Sequence, residues 1–234
     1  MKKLALVMCS LTFLLGSAFA DTTSIGVKLS YGNMDASGST ESNSAGTGST
    51  LNNFVDGPAG GAKVVSSGDS DVPFGSIFIE REREFSKANV AIGLDWMPLS
   101  AEVEKLGGGT GTDATIEIGN QFTIYIQPSK ELSNGVKVFG KLGYSSMNLE
   151  INDIKYQAST AGTANTDGNT TKNMDGIMFG LGFEKSVSVG PLDFIRLEAT
   201  YTDYDTVNHT SSNGKKQTAD ADLTALNLSI GKKF

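Results

Sequence analysis

The only histidine of the chain, His209, stands in Asn208-His209-Thr210-Ser211, two residues before a serine. An imidazole there could act as general base toward the hydroxyl, with Asp220 or Asp222 as the carboxylate that orients it. His209 lies beyond Tyr201, however, and at about 3.3 Å per residue an extended chain carries it far above the apolar part of its segment. A polar loop histidine is the simpler account. Two acid-rich stretches, GDSDVP (68–73) and TDYDTVN (202–208), could attract calcium. Neither has the length or ligand spacing of a calcium loop, so no metal and no cofactor is expected.

Other ionisable residues recur inside alternating runs, and these define the elements that hold them. IGVKLSY (25–31), VAIGLDW (90–96), VFGKLGY (138–144) and IRLEATY (195–201) place apolar or small residues at every second position. Each such row ends on an aromatic: Tyr31, Trp96, Tyr144 and Tyr201. The other face is small or polar and carries Lys28, Lys141, Arg196 and Glu198. Four further runs, Phe74 to Arg83, Thr115 to Gln127, Gly176 to Lys185 and Leu223 to Phe234, add Glu80, Glu117, Gln121 and Glu184 to that polar face. In the second of these, Ile116, Ile118, Phe122, Ile124 and Ile126 form the apolar row. Period-two alternation of this kind denotes strands with two unlike faces. Eight strands of about 9 to 12 residues result, the length a tilted strand needs to cross a bilayer and longer than the ~5 to 6 usual in soluble sheets. After Ser145-Ser146 the apolar row changes parity to Met147, Leu149 and Ile151, which reads as a bulge.

The connections fall into two classes. Those near 84–88, 128–135 and 186–191 are short, whereas 32–73, 98–114, 152–175 and 208–222 are long and rich in Ser, Thr, Gly and Asn. Short turns at one end and long loops at the other are expected of an outer-membrane barrel. In hydrocarbon a sheet must close to satisfy its backbone, and eight strands close around a lumen that side chains fill. The polar face then points inward, where its charges pair with one another.

The first twenty residues carry Lys2 and Lys3, an apolar run from Leu4 to Leu15 and a small-residue end at Ala18-Phe19-Ala20. That is a secretory signal peptide, with cleavage expected before Asp21 and residues 21–234 as one barrel domain. The only cysteine, Cys9, lies within it. Without Lys2 and Lys3 the net charge moves from −7 to −9. Such a surface excludes a nucleic-acid partner, because phosphate binding needs positive charge.

With these features together, the chain resembles the small eight-stranded outer-membrane β-barrel family, which includes opacity-type surface proteins and the barrel domain of outer membrane protein A. The resemblance implies an all-β, antiparallel up-and-down transmembrane barrel of the Gram-negative cell envelope, porin-like in its wall but with a filled lumen. It further implies a structural, adhesive or surface-interaction role without catalysis. Lipid bilayer and lipopolysaccharide are the implied surroundings, and the long loops would meet any extracellular ligand. In that family the last strand is the signal read by the barrel-assembly machinery, which here falls on Leu226, Leu228, Ile230 and Phe234; Tyr31, Trp96, Tyr144 and Tyr201 would form the aromatic girdle. Two alternatives remain: a narrow ion channel, and a lipid A-modifying hydrolase, since His209 and Ser211 resemble the His-x-Ser of barrel deacylases.

Overall fold

The computed structural model describes residues 21–42, 62–106, 112–156, 170–210 and 216–234. The signal segment and Ser211 lie outside the described residues. All described elements are strands: β1 (Asp21–Ser42), β2 (Ala62–Glu84), β3 (Asn89–Met97), β4 (Ala101–Leu106), β5 (Thr112–Glu131), β6 (Val136–Tyr156), β7 (Thr170–Val189), β8 (Leu192–Thr210) and β9 (Lys216–Lys233). Every pairing is antiparallel, in the order β3-β2-β1-β9-β8-β7-β6-β5-β4, and a β3–β5 ladder closes the ring. β3 and β4 are two halves of one stave, interrupted at Pro98, whose missing N–H cannot continue a ladder. The fold is therefore an eight-staved, all-β up-and-down barrel. β9 joins β1 from Ser24↔Lys233 to Thr40↔Gln217, and Thr23 and Phe234 exchange backbone hydrogen bonds of 3.1 and 2.8 Å. The first and last strands thus leave no edge at this end.

Three turns are tight. Phe85 N–H donates to the Ala88 carbonyl (2.9 Å), Gly135 turns at φ +72° and Gly190 at φ +59°, a region a side chain would strain.

The strands are longer than expected. β1 runs for 22 residues and β2 for 23, so much of what alternation alone assigns to long connections is strand. The reason is a change of polarity part-way along each stave. On β1 the outward row reads Ile25, Val27, Leu29, Tyr31 and then Asn33, Asp35, Ser37; the inward row reads Ser24, Gly26, Ser30 and then Met34, Ala36. On β9 outward Ile230, Leu228 and Leu226 give way to Thr224 and Asp220, while inward Ser229 and Asn227 give way to Leu223 and Ala221. Below the change, the barrel is apolar outside and polar inside; above it, the reverse holds. Met34, Val72, Met97, Ile118, Met147, Leu149, Met174 and Leu223 accordingly form an apolar cluster inside the upper half.

This inversion corrects the bulge expected at Ser145-Ser146. The β6–β7 register is unbroken from Val136↔Lys185 to Ile151↔Thr170, and Met147 and Leu149 continue the inward row of Lys141, Gly143 and Ser145. A bulge does exist, on the neighbouring strand. β5 slips against β6 between Gly119 and Phe122, with Asn120 at φ +49°. The extra residue turns Ile118 inward to full burial while Phe122, Ile124 and Ile126 face out, so the isoleucine row is two rows.

Candidate functional site

The outer wall of the lower half is a belt of exposed apolar side chains: Val27, Leu29 (69%), Ile77, Leu142, Phe179, Leu181 (73%), Leu197, Leu226 and Leu228 among them. A patch so large is a surface for hydrocarbon, not water. Tyr31, Trp96 and Tyr201 are exposed on the same wall, and Tyr144 is half-buried on it, next to where it turns polar. Leu226, Leu228, Ile230 and Phe234 lie on its final stave, Phe234 at the turn end. Just above the aromatics, Asp71 accepts hydrogen bonds from Tyr31 (2.7 Å) and Asn33 (3.2 Å), which hold its carboxyl below the usual range.

Inside this belt the polar rows converge. Arg196, 2% exposed, donates from Nη1 and Nη2 to both Glu80 oxygens (3.1 and 2.5 Å) and from Nε and Nη2 to Glu184 Oε2 (3.2 and 2.7 Å). Its guanidinium also lies 5.2–5.3 Å from the rings of Phe78, Phe139 and Phe194. Beneath it, Lys233 Nζ reaches Glu184 Oε1 (2.7 Å) and Lys137 reaches Glu82 (2.7 Å). Lys141 pairs with Glu198 (2.7 Å) under the face of Tyr125, whose hydroxyl donates to Glu80 (3.0 Å), and Lys28 pairs with Asp95. Five cations, Lys28, Lys137, Lys141, Arg196 and Lys233, thus meet five carboxylates, Glu80, Glu82, Asp95, Glu184 and Glu198. Desolvating any of these charges alone would cost several kcal/mol, whereas bidentate and shared pairing offsets that cost.

A neutral polar layer follows. Ser30 donates to Asn227 (2.6 Å) and Asn227 to Thr200 (3.0 Å), while Gln121 donates to Ser145 (3.1 Å) and Tyr204 (2.9 Å). The apolar cluster closes the stack above it. Such a lumen is a core and not an open pore.

Small residues make this filling fit. An added Cβ would lie 2.5 Å from the Phe78 ring at Gly26, 2.3 Å from Tyr125 at Gly93, 2.3 Å from Phe139 at Gly182 and 2.4 Å from Phe194 at Gly231. Each ring lies over a cross-strand glycine, which lets it lie flat against the wall beside the charges.

Of the residues assigned to the lumen from sequence, Lys28, Glu80, Gln121, Lys141, Glu184, Arg196 and Glu198 are brought together there. Glu117 is not: the Asn120 bulge puts its neighbour Ile118 inside, so Glu117 falls on the outward row of the upper half. Asp95, on the polar face of VAIGLDW, joins them through Lys28, whereas Glu82, Lys137 and Lys233 were missed, though each continues an inward row by one or two positions. His209 is the penultimate residue of β8 with its backbone opposite Gln217, whereas Asp222 is opposite Asp203 and accepts from Tyr201. The acid-rich stretches lie in strands, not loops. The register aligns Asp69, Asp35, Asp222 and Asp203 across β2, β1, β9 and β8. Among the described residues, no group of three or more His, Cys, Asp or Glu side chains could hold a metal ion.

No family model and no curated protein matches the chain. Several solved structures are similar to it at low identity. OprG, an outer membrane protein of Pseudomonas aeruginosa, is 14% identical with a TM-score of 0.47 over 94% of this chain and 98% of its own. Neisserial surface protein A is 11% identical at 0.43, over 88% and 97%. Ail, the attachment invasion locus protein of Yersinia pestis, is 9% identical at 0.40, over 90% and 98%.

Proposed function

We propose that the chain is a non-catalytic integral outer-membrane barrel of the Gram-negative cell surface, exported by a cleaved signal segment at 1–20. The belt spans the bilayer, and the water-facing upper half projects outward to carry the loops. The polarity inversion carries this reading: a soluble sandwich has no reason to exchange its inner and outer chemistry at one height on several adjacent strands, whereas a barrel leaving hydrocarbon for water must. The upper half presents its loops to lipopolysaccharide or to an extracellular ligand, and its ion-paired lumen serves as the core that stiffens the wall.

The test is extraction of the membrane fraction followed by gel migration with and without heating. A folded barrel in detergent migrates differently from the boiled chain, and the purified barrel gives no stepwise current across a planar bilayer. A chain recovered in the soluble periplasmic fraction with no heat-dependent shift refutes the membrane assignment.

The outward row Leu226, Leu228, Ile230 and Phe234 is the proposed recognition segment for the assembly machinery. Deleting Phe234 also removes the last backbone pair with Thr23. The expected outcome is a marked loss of the heat-modifiable form in outer membranes, with unfolded chain accumulating. Normal assembly of the truncated chain would reject that role.

A further inference from the structure

A small cavity of about 30 Å³ lies in the lumen where the charged layer meets the neutral polar one, lined among others by Lys28, Asp95, Lys141, Glu198, Asn227 and Met178. A water molecule needs about 10–15 Å³ and two to four polar partners. Glu198 is 1% exposed; its Oε2 takes the Lys141 ammonium, but its Oε1 is buried with no partner. A buried carboxylate oxygen without a donor is costly. Lysine ammoniums carry three N–H donors each, so the ion pairs of Lys28 and Lys141 do not exhaust them. Gly180 leaves room beside this oxygen, since a Cβ there would come within 3.1 Å of Glu198 Oε1 and 3.2 Å of the Lys141 side chain.

We propose that this chamber is a permanent hydration site, holding one or two water molecules that donate to Glu198 Oε1 and accept from the facing ammoniums. The bound water joins the Lys28–Asp95 and Lys141–Glu198 pairs into one network. An added metal cation is disfavoured there by two ammoniums in the wall, and an anion by two carboxylates. The apolar cluster, which holds Met34, Met97, Met147 and Met174, borders the chamber through Leu223 and Phe74.

The five methionines after residue 20 make the experiment internally controlled, because Met178 alone lines the chamber. The barrel is purified from membranes with methyl-13C methionine, in deuterated detergent, and water-to-methyl nuclear Overhauser effects are recorded. The expected result is a bound-water cross-peak at the Met178 methyl and none at the other four. No cross-peak at Met178, or equal cross-peaks at all five, overturns the proposal. Ala225 also lines the chamber. In Ala225→Val the added methyls take the water's place: the Met178 cross-peak is lost and the thermal midpoint falls by roughly 3–10 °C, since Glu198 Oε1 is left dry. A raised midpoint would mean that an empty void had been filled, and would overturn the proposal; the wild-type spectrum decides alone if this variant does not fold.

Discussion

Replacing Arg196 by methionine is expected to cost about 3 to 5 kcal/mol, enough to leave little or no folded barrel in detergent. The side chain is nearly the right size for its cage, so packing is not the main loss. What goes is the only charge that both Glu80 and Glu184 engage at short range: Glu80 keeps the Tyr125 hydroxyl and Glu184 keeps Lys233. Two carboxylates would then lie in a lumen walled by three phenylalanine rings. Denaturant titration followed by the heat-shift gel reads this directly. The triple variant Glu80→Gln, Glu184→Gln, Arg196→Met should regain much of the stability, because the penalty comes from uncompensated charge and not from loss of the pair as such. A single variant as stable as the parent would show that the network contributes nothing.

Gly182→Val is expected to destabilise by about 1 to 3 kcal/mol, chiefly through steric overlap. A Cβ at this position would lie 2.3 Å from the Phe139 ring and 2.6 Å from the Leu197 carbonyl oxygen. The ring could swing away only by leaving Arg196; the carbonyl belongs to the β7–β8 ladder and cannot. For a chain of this size the thermal midpoint should fall by roughly 2–12 °C. Adding Phe139→Leu should restore only part of that loss, since the backbone clash stays. Full rescue would mean that the ring alone sets the limit.

Strand number, face assignment and closure were legible because period-two alternation is strong wherever hydrocarbon lies outside and polar groups inside. Strand ends were not, for a physical reason. Above the aromatic row the outward residues are Asn, Asp, Ser and Thr, as they are in a loop, and the inward ones are Met, Ala and Leu. Such a stretch reads as polar filler unless parity is carried through the change. Met147 and Leu149 held that information, since they keep the inward parity of Lys141 and Ser145. The Asn120 bulge was hidden because the isoleucines on its two sides keep one spacing in sequence while facing opposite ways in space. That accounts for Glu117. Asp95 already stood on the polar face of VAIGLDW, and Glu82, Lys137 and Lys233 were within reach of the same parity rule extended a step toward the strand ends.

The aligned Asp69, Asp35, Asp222 and Asp203 bear on how this barrel can be put in place. They stand on the outward wall of the upper half, on four adjacent staves, and carboxylates directly opposite one another repel. To turn over in a bilayer, the barrel would have to drag that whole anionic collar through hydrocarbon, at a cost of several kcal/mol per charge. Topology is therefore chosen once, during insertion, and the finished barrel is trapped in it kinetically.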